Sequence, residues 1–393
     1  MKKVLSIVMA LLLVGAVFAG CAPATDDGGS EENVIRIGVF EPLTGDSASG
    51  GKKELLGIQY ANAETPTVTL GDVEYKVEVV YSDNGSTTDK APSAAATLVD
   101  KEVAIVLGSY GSGVSMAASD TFNQAGLAAL GITCTNPNVT KGNDHYFRIC
   151  FLDPFQGSVL ANFAMDKCGA KKAYLLGELG NEYDQGLLTF FEQTFTAAGG
   201  EVIKADFPTN TADFTQYLNT AKAEGCDVIF TPVSIAYATQ IVSQAARLEI
   251  GLPILGSDTL DDNKVLEAAK GTDTELYVST FYQEGGSVEF DEGIKNYINT
   301  NADAKTANGG DDTISAVTAM GYDAYYVALE AIKAAGSADP AAVKAALPAV
   351  KYVGVSGDIA FDEIGDAIRD TAYIKTVDTE AGVWMLETVQ KAN

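Results

Sequence analysis

A chain of 393 residues, 47% hydrophobic and 20% charged, is long enough for about two folded domains and lacks the profile of a disordered polymer. Acidic residues outnumber basic ones 53 to 26, for a net charge of −27. That balance sets nucleic acid and anionic lipid surfaces aside as electrostatic partners.

Lys2 and Lys3 lead an apolar run from Val4 to Ala19, which closes in Phe18-Ala19-Gly20-Cys21. The run falls short of the roughly 20 apolar residues that a spanning helix needs. It has the positive, apolar and small-residue parts of a secretory signal, so residues 1–20 are expected to be removed. The small residues before Cys21 resemble the bacterial lipoprotein lipobox, with Phe18 where Leu is usual. That resemblance implies acylation of Cys21; the plainer alternative is an ordinary signal with Cys21 buried or paired. Two or more acyl chains hold a protein at a membrane stably, where one binds only marginally. Residues 21–33 read as an acidic, polar tether.

From residue 34 onward strands and helices are expected to alternate: strand 34–40, helix 52–63, strand 75–81, helix 87–101 and strand 104–108. Helix 114–124 and strand 127–131 continue the rhythm. After the 147–155 stretch a second series follows, with strands 172–176, 201–207, 227–231 and 253–255 and helices 184–198, 214–224 and 237–248. Such alternation predicts open, mostly parallel sheets covered by helices, and two series predict two α/β lobes. A strand at 277–281, a long helix over 313–335, another over 340–346 and the 354–361 segment do not simply extend the second series.

Three loops after strands carry the candidate chemistry. Ile105-Val106-Leu107-Gly108-Ser109-Tyr110-Gly111-Ser112-Gly113 ends a strand in a Gly/Ser turn at a helix start, where free N–H groups and the helix dipole suit a carboxylate and the Ser112 hydroxyl adds a donor. A Ser that merely caps the helix is the alternative. Ile132-Thr133-Cys134-Thr135-Asn136-Pro137 follows the next strand, at the sheet edge where ligands of open α/β folds sit, so Thr135 is placed to donate to the same guest or to close a turn. Leu255-Gly256-Ser257-Asp258 puts a carboxylate at the equivalent edge of the second series, either for an ammonium group or as a cap before a 262–270 helix. Tyr183, after Gly180-Asn181-Glu182, walls a pocket or packs in the core.

Other chemistries lack their signatures. There is no G-x-G-x-x-G, Walker A or G-x-S-x-G sequence, and a single histidine, His145. An exported dehydrogenase or hydrolase is thereby disfavoured, and neither a metal nor a cofactor is expected. Of the five cysteines, Cys134, Cys150, Cys168 and Cys226 remain beside Cys21. Export permits a disulfide, and Cys168 and Cys226, each preceding a predicted strand, are the best-placed pair.

Over residues 34–385 the chain resembles the leucine/isoleucine/valine-binding type of periplasmic-binding proteins, the receptors of branched-chain amino-acid ABC importers. The resemblance rests on Ile35-Arg36-Ile37-Gly38-Val39-Phe40-Glu41-Pro42-Leu43-Thr44-Gly45, on Leu107 to Ser112, Thr133 to Pro137 and Tyr146-Phe147-Arg148, and on Gly256-Ser257-Asp258 and Gly321-Tyr322-Asp323-Ala324. It implies two doubly wound parallel-sheet lobes joined by three hinge crossings, with 34–153 and 280–356 in one lobe and 154–279 and 357–393 in the other. It implies that Ser112 and Thr135 bind the ligand α-carboxylate, that Asp258 and the Thr133 carbonyl bind its ammonium group, and that Tyr110 and Tyr183 line the side-chain pocket. Gly50 and Ser234 stand where other members carry aromatic residues, which suggests a roomier pocket. The implied function is an extracytoplasmic, membrane-anchored monomer that captures an amino acid, branched-chain or otherwise apolar, and delivers it to an ABC permease without catalysis. A ligand sensor of the same fold, for amino acids, amides or urea, is the alternative.

Overall fold

The computed structural model describes residues 33–391, so Cys21 and the signal segment lie outside the described residues. In the first lobe, β1 (Val34–Glu41) leads into α1 (Ala48–Glu64). The hairpin β2 (Thr67–Leu70) and β3 (Val73–Asp83) follows, then α2 (Ala91–Asp100), β4 (Ile105–Leu107), α3 (Ser112–Gln124), β5 (Ala129–Gly131) and β6 (Tyr146–Arg148). The six strands form one sheet in the order β2-β3-β1-β4-β5-β6, parallel except for the β2–β3 pair. Its central strands are short and fully buried, as Ile105–Leu107 shows, because helices cover both faces.

The second lobe opens with α4 (Asp153–Asp166) and alternates through β7 (Lys172–Glu178), α5 (Glu182–Ala197), β8 (Glu201–Phe207), α6 (Thr215–Ala223), β9 (Val228–Phe230), α7 (Ile235–Arg247), β10 (Ile254–Gly256), α8 (Asn263–Ala269) and β11 (Leu276–Thr280). The chain then returns to the first lobe with α9 (Val288–Thr300), α10 (Ala302–Ala307), α11 (Ala316–Ala335) and α12 (Pro340–Ala346). α11 lies along α1, and the crossing is close because both helices are bare there. A methyl group on Gly57 would collide with the Thr318 carbonyl, and one on Gly321 with the Glu54 carbonyl.

After the hairpin β12 (Lys351–Gly354) and β13 (Gly357–Ala360), the chain adds β14 (Thr371–Asp378) and β15 (Val383–Lys391) to the second sheet. That sheet runs β15-β14-β11-β10-β9-β7-β8, with β14 and β15 antiparallel at one edge. Two lobes and three passages between them are thus present. The boundary expected between residues 356 and 357 needs moving, however, since it would cut a hairpin in which β13 pairs with β12 from Lys351↔Ala360 to Gly354↔Gly357.

The four described cysteines are free, so Cys168 and Cys226 are not paired. They precede β7 and β9, which are neighbours in the sheet, but Cys168 packs against the cluster containing Ala173 and Leu175 while Cys226 packs with Tyr174 and Leu176. Alternate residues of a strand face opposite sides, so the two thiols lie on opposite faces of one sheet and cannot reach each other.

Candidate ligand-binding site

β4 ends at Leu107, and α3 begins at Ser112 with Gly111 as its extended N-cap residue and no side chain capping its first turn. Ser112 therefore does not cap the helix. Its Oγ accepts the Asn136 N–H at 3.2 Å, which ties the turn to the next loop and leaves the hydroxyl hydrogen free to donate. Thr135, one residue back, is fully buried; its hydroxyl makes no close hydrogen bond and sits beside the Asp153 carboxyl. Uncapped amides, a positive helix end and two hydroxyls converge on one spot, an arrangement that favours an anion.

Asp258 enters from the other lobe, on the turn after β10, and is 2% exposed. Its Oδ1 accepts from Gln156 Nε2 at 2.7 Å and from the Tyr183 hydroxyl at 2.9 Å. Burial pushes its pKa up to about 6, against those two hydrogen bonds, which lower it. Tyr183 is placed by Asn181, whose side chain accepts the Tyr183 and Asp184 N–H groups and starts α5. Thr133 donates its hydroxyl to Glu54, and Glu41 Oε2 accepts the Tyr110 N–H at 2.8 Å. Burial raises both glutamates, Glu54 to about 8. Asp153 is likewise raised by burial, to about 7.

The lobes meet directly around these groups. Lys53 Nζ of α1 contacts Asp262 Oδ2 at 2.5 Å and Asn263 Oδ1 at 2.7 Å, and the Lys53 and Asp262 side chains are 1% and 2% exposed. Ser49 Oγ also donates to Asp262 at 2.8 Å, and Asn136 Nδ2 reaches the Glu182 carbonyl at 2.9 Å.

A cavity of about 310 Å³ opens between the lobes, lined by Ser112, Tyr110 and Tyr183 among others. Thr133, Thr135 and Asp258 lie buried beside it and do not line it. The roomier pocket expected from Gly50 is not formed: a methyl group there would overlap the Tyr110 ring, which occupies that space. An aromatic wall missing at one position is supplied from another loop. Ser234, by contrast, does line the cavity.

Sequence reasoning missed Glu41, Glu54, Gln156, Lys53 and Asp262. Glu41 had a signal, a carboxylate at the carboxyl end of an apolar strand, where ligand sites of open sheets lie. The others sit within helices or turns: Lys53 and Asp262 gain their meaning from the opposite lobe, and Glu54 and Gln156 from distant loops of their own lobes. Among the described residues no group of His, Cys, Asp and Glu is arranged to hold a metal ion, and no helix is long and apolar enough to cross a membrane.

Comparison with known proteins places these features in context. Residues 34–382 match the family model described as periplasmic binding protein. The Leu/Ile/Val-binding protein homolog 2 of Brucella abortus is 27% identical over 342 residues, 86% of this chain and 89% of that protein. The crystal structure of the leucine binding protein LivK of Thermotoga maritima superposes with a TM-score of 0.80 at 32% identity, covering 91% of this chain and 99% of the other. The branched-chain amino-acid transporter substrate binding protein LivJ of Streptococcus pneumoniae, solved with isoleucine, gives 0.78 at 25% identity over 91% and 99%.

Proposed function

This chain belongs to the periplasmic binding protein family, a non-enzymatic, solute-binding class of extracytoplasmic proteins, and from that premise we propose that it captures a free α-amino acid between its lobes and delivers it to an ABC permease. The observation that carries the reading is the pairing of opposite recognition chemistries. Uncapped donors of the Ser112 turn and the Thr135 hydroxyl come from the first lobe, and the Asp258 carboxylate comes from the second. A zwitterion needs both at once, so it bridges the lobes and favours their closed arrangement, the form a permease would recognise. The relatives that bind leucine and isoleucine support an amino acid as the guest. Ser112 and Thr135 take the carboxylate in this reading, Asp258 and the Thr133 carbonyl the ammonium group, and Tyr110 and Tyr183 flank the side chain.

Comparing an amino acid with its own C-terminal amide tests the carboxylate half. The amide is expected to bind the full-length protein poorly, since charge-assisted hydrogen bonds are the stronger ones and buried donors left unpaired are costly. Ser112→Ala is expected to discriminate less between the two. Equal binding of acid and amide by the parent protein would remove the amino-acid assignment and leave amide or urea ligands.

We also propose that Cys21 carries acyl chains and holds the monomer at the membrane, on the strength of the lipobox-like residues before it. Mass spectrometry of the N-terminal peptide is expected to show acyl mass on Cys21. A mature chain that begins elsewhere, or an unmodified Cys21, would sink this anchor.

A further inference from the structure

The cavity beside the Ser112 turn combines apolar walls with a set of carboxyl groups. Tyr110, Val114 and Tyr183 give it apolar walls close to that turn. Asp46, from the loop after β1, and Glu178, at the end of β7, line it from opposite lobes, and Glu182 and Asp184 add carboxyls from the first turn of α5. Among the described residues that line it there is no Lys, Arg or His. Asp46 and Glu178 act on one place: after burial, both push the pKa of the Tyr237 hydroxyl upward, and Glu178 Oε1 accepts from that hydroxyl at 3.2 Å.

Two buried acceptors in the lining have no donor within the protein. Ser234 stands at the N-cap position of α7 and is 8% exposed, yet its hydroxyl neither caps the helix nor meets any partner. Asp184 is 1% exposed; its Oδ2 accepts the Glu178 N–H at 2.8 Å while Oδ1 is unpartnered. A branched aliphatic side chain would cover such groups without satisfying them, which costs free energy rather than gaining it.

We infer that, on the amino-acid reading above, the preferred guest carries a cationic head on an aliphatic stem, as lysine and arginine do. The stem packs along Tyr110, Val114 and Tyr183, as long charged side chains do when they cover apolar surface. The head, with three donors as an ammonium or five as a guanidinium, meets Asp46 and Glu178 and supplies donors to Ser234 and Asp184. Apolar walls and carboxyl groups in one cavity thus fit one amphipathic side chain, where leucine fits only the walls. The net charge of −27 also attracts a ligand that is positive overall.

Calorimetry on the full-length protein at fixed moderate salt, with L-arginine, L-lysine, L-citrulline and L-leucine, tests this. Citrulline keeps the shape of arginine and loses its charge. At least one of arginine and lysine is expected to bind about tenfold or more tighter than citrulline and leucine. The double substitution Asp46→Asn with Glu178→Gln is expected to lower that affinity roughly tenfold and to change citrulline binding by less than about twofold. Leucine binding tighter than both basic amino acids would overturn the cationic side chain and leave the amino-acid reading intact. Failure of all four to bind would overturn the cationic side chain, and the acid–amide comparison above decides the amino-acid reading separately. The ligand comparison on the parent protein decides the matter even if the double variant does not fold, because Glu178 also accepts from Asn181 at 3.2 Å.

Discussion

Asp258→Asn is expected to weaken binding of the cognate amino acid by roughly 2 kcal/mol or more, about thirtyfold, while leaving the fold in place. The substitution keeps shape and hydrogen bonding, because an amide oxygen accepts from Gln156 Nε2 and the Tyr183 hydroxyl as the carboxylate does at 2.7 and 2.9 Å. Only the charge is lost, at a side chain 2% exposed to water. An ammonium group taken into that site would give up hydration and receive no counter-charge in return. Calorimetry with unchanged affinity would reduce Asp258 to a residue that orients Tyr183 and Gln156.

The same site predicts a two-sided pH dependence. The free Asp258 carboxyl titrates at about 6, and a bound ammonium lowers that value, so binding requires the ionised form. Affinity therefore falls as pH drops below about 6, by at most about tenfold per unit. Asp153, held up at about 7 by burial, lies by Thr135, where the ligand carboxylate is proposed to sit. Its ionisation above about 7 sets two negative charges together and weakens binding on that side. A maximum between the two values is expected for the parent protein, and Asp258→Asn is expected to erase the acid limb and move the alkaline limb to lower pH, since the Asp258 charge helps to hold Asp153 up.

Arg148→Met is expected to destabilise the protein by about 3–5 kcal/mol, measured by denaturant unfolding, and to abolish ligand binding with it. Arg148 is wholly buried on β6. Its Nε contacts Asp366 Oδ1 at 2.5 Å, Nη1 donates to the Cys134 and Asn136 carbonyls at 2.8 and 2.5 Å, and Nη2 donates to Thr140 Oγ1 at 3.0 Å. Those carbonyls flank Thr135, so one guanidinium shapes the proposed carboxylate loop and ties it to the third passage between lobes. Removing it takes the counter-charge from the buried Asp366, which keeps the Thr140 hydroxyl as a donor, and takes a donor from each of two buried carbonyls, of which Asn136 keeps the Val139 N–H. Adding Asp366→Asn should restore part of the lost stability, since the cost of a broken buried pair lies mostly in the charge left behind. A single variant as stable as the parent would show that water replaces the guanidinium.

Local pattern was enough for the elements whose neighbours are near in sequence. The buried strands of both sheets read as short apolar runs bounded by turn residues, and Ile105–Leu107 or Val228–Phe230 required nothing more. β14 and β15 did not read that way: β15 lies at a sheet edge and leaves Val383, Met385, Leu386 and Val389 exposed, so its apolar residues mark no single face. α4 was hidden for the opposite reason, because it buries Asp153, Gln156 and Gly157 along with its apolar residues and so shows little amphipathic period.

The sequence by itself determined the alternation of strands and helices, the two α/β series and the loops that bear Ser112, Thr135, Tyr183 and Asp258, since each depends on spacing within a few residues. Tertiary structure decided what those loops face. Tyr110 finds Glu41 across 69 residues, Thr133 finds Glu54 across 79, and Lys53 finds Asp262 across 209. The Tyr110 ring fills the space beside Gly50, and Cys168 and Cys226 fall on opposite faces of one sheet. Of these only the Lys53–Asp262 contact joins the two lobes; the others are set by how elements far apart in sequence pack within one lobe. Hydrophobic period and turn chemistry act along the chain, so they say which residues reach a sheet edge and nothing about which distant edge will close over them.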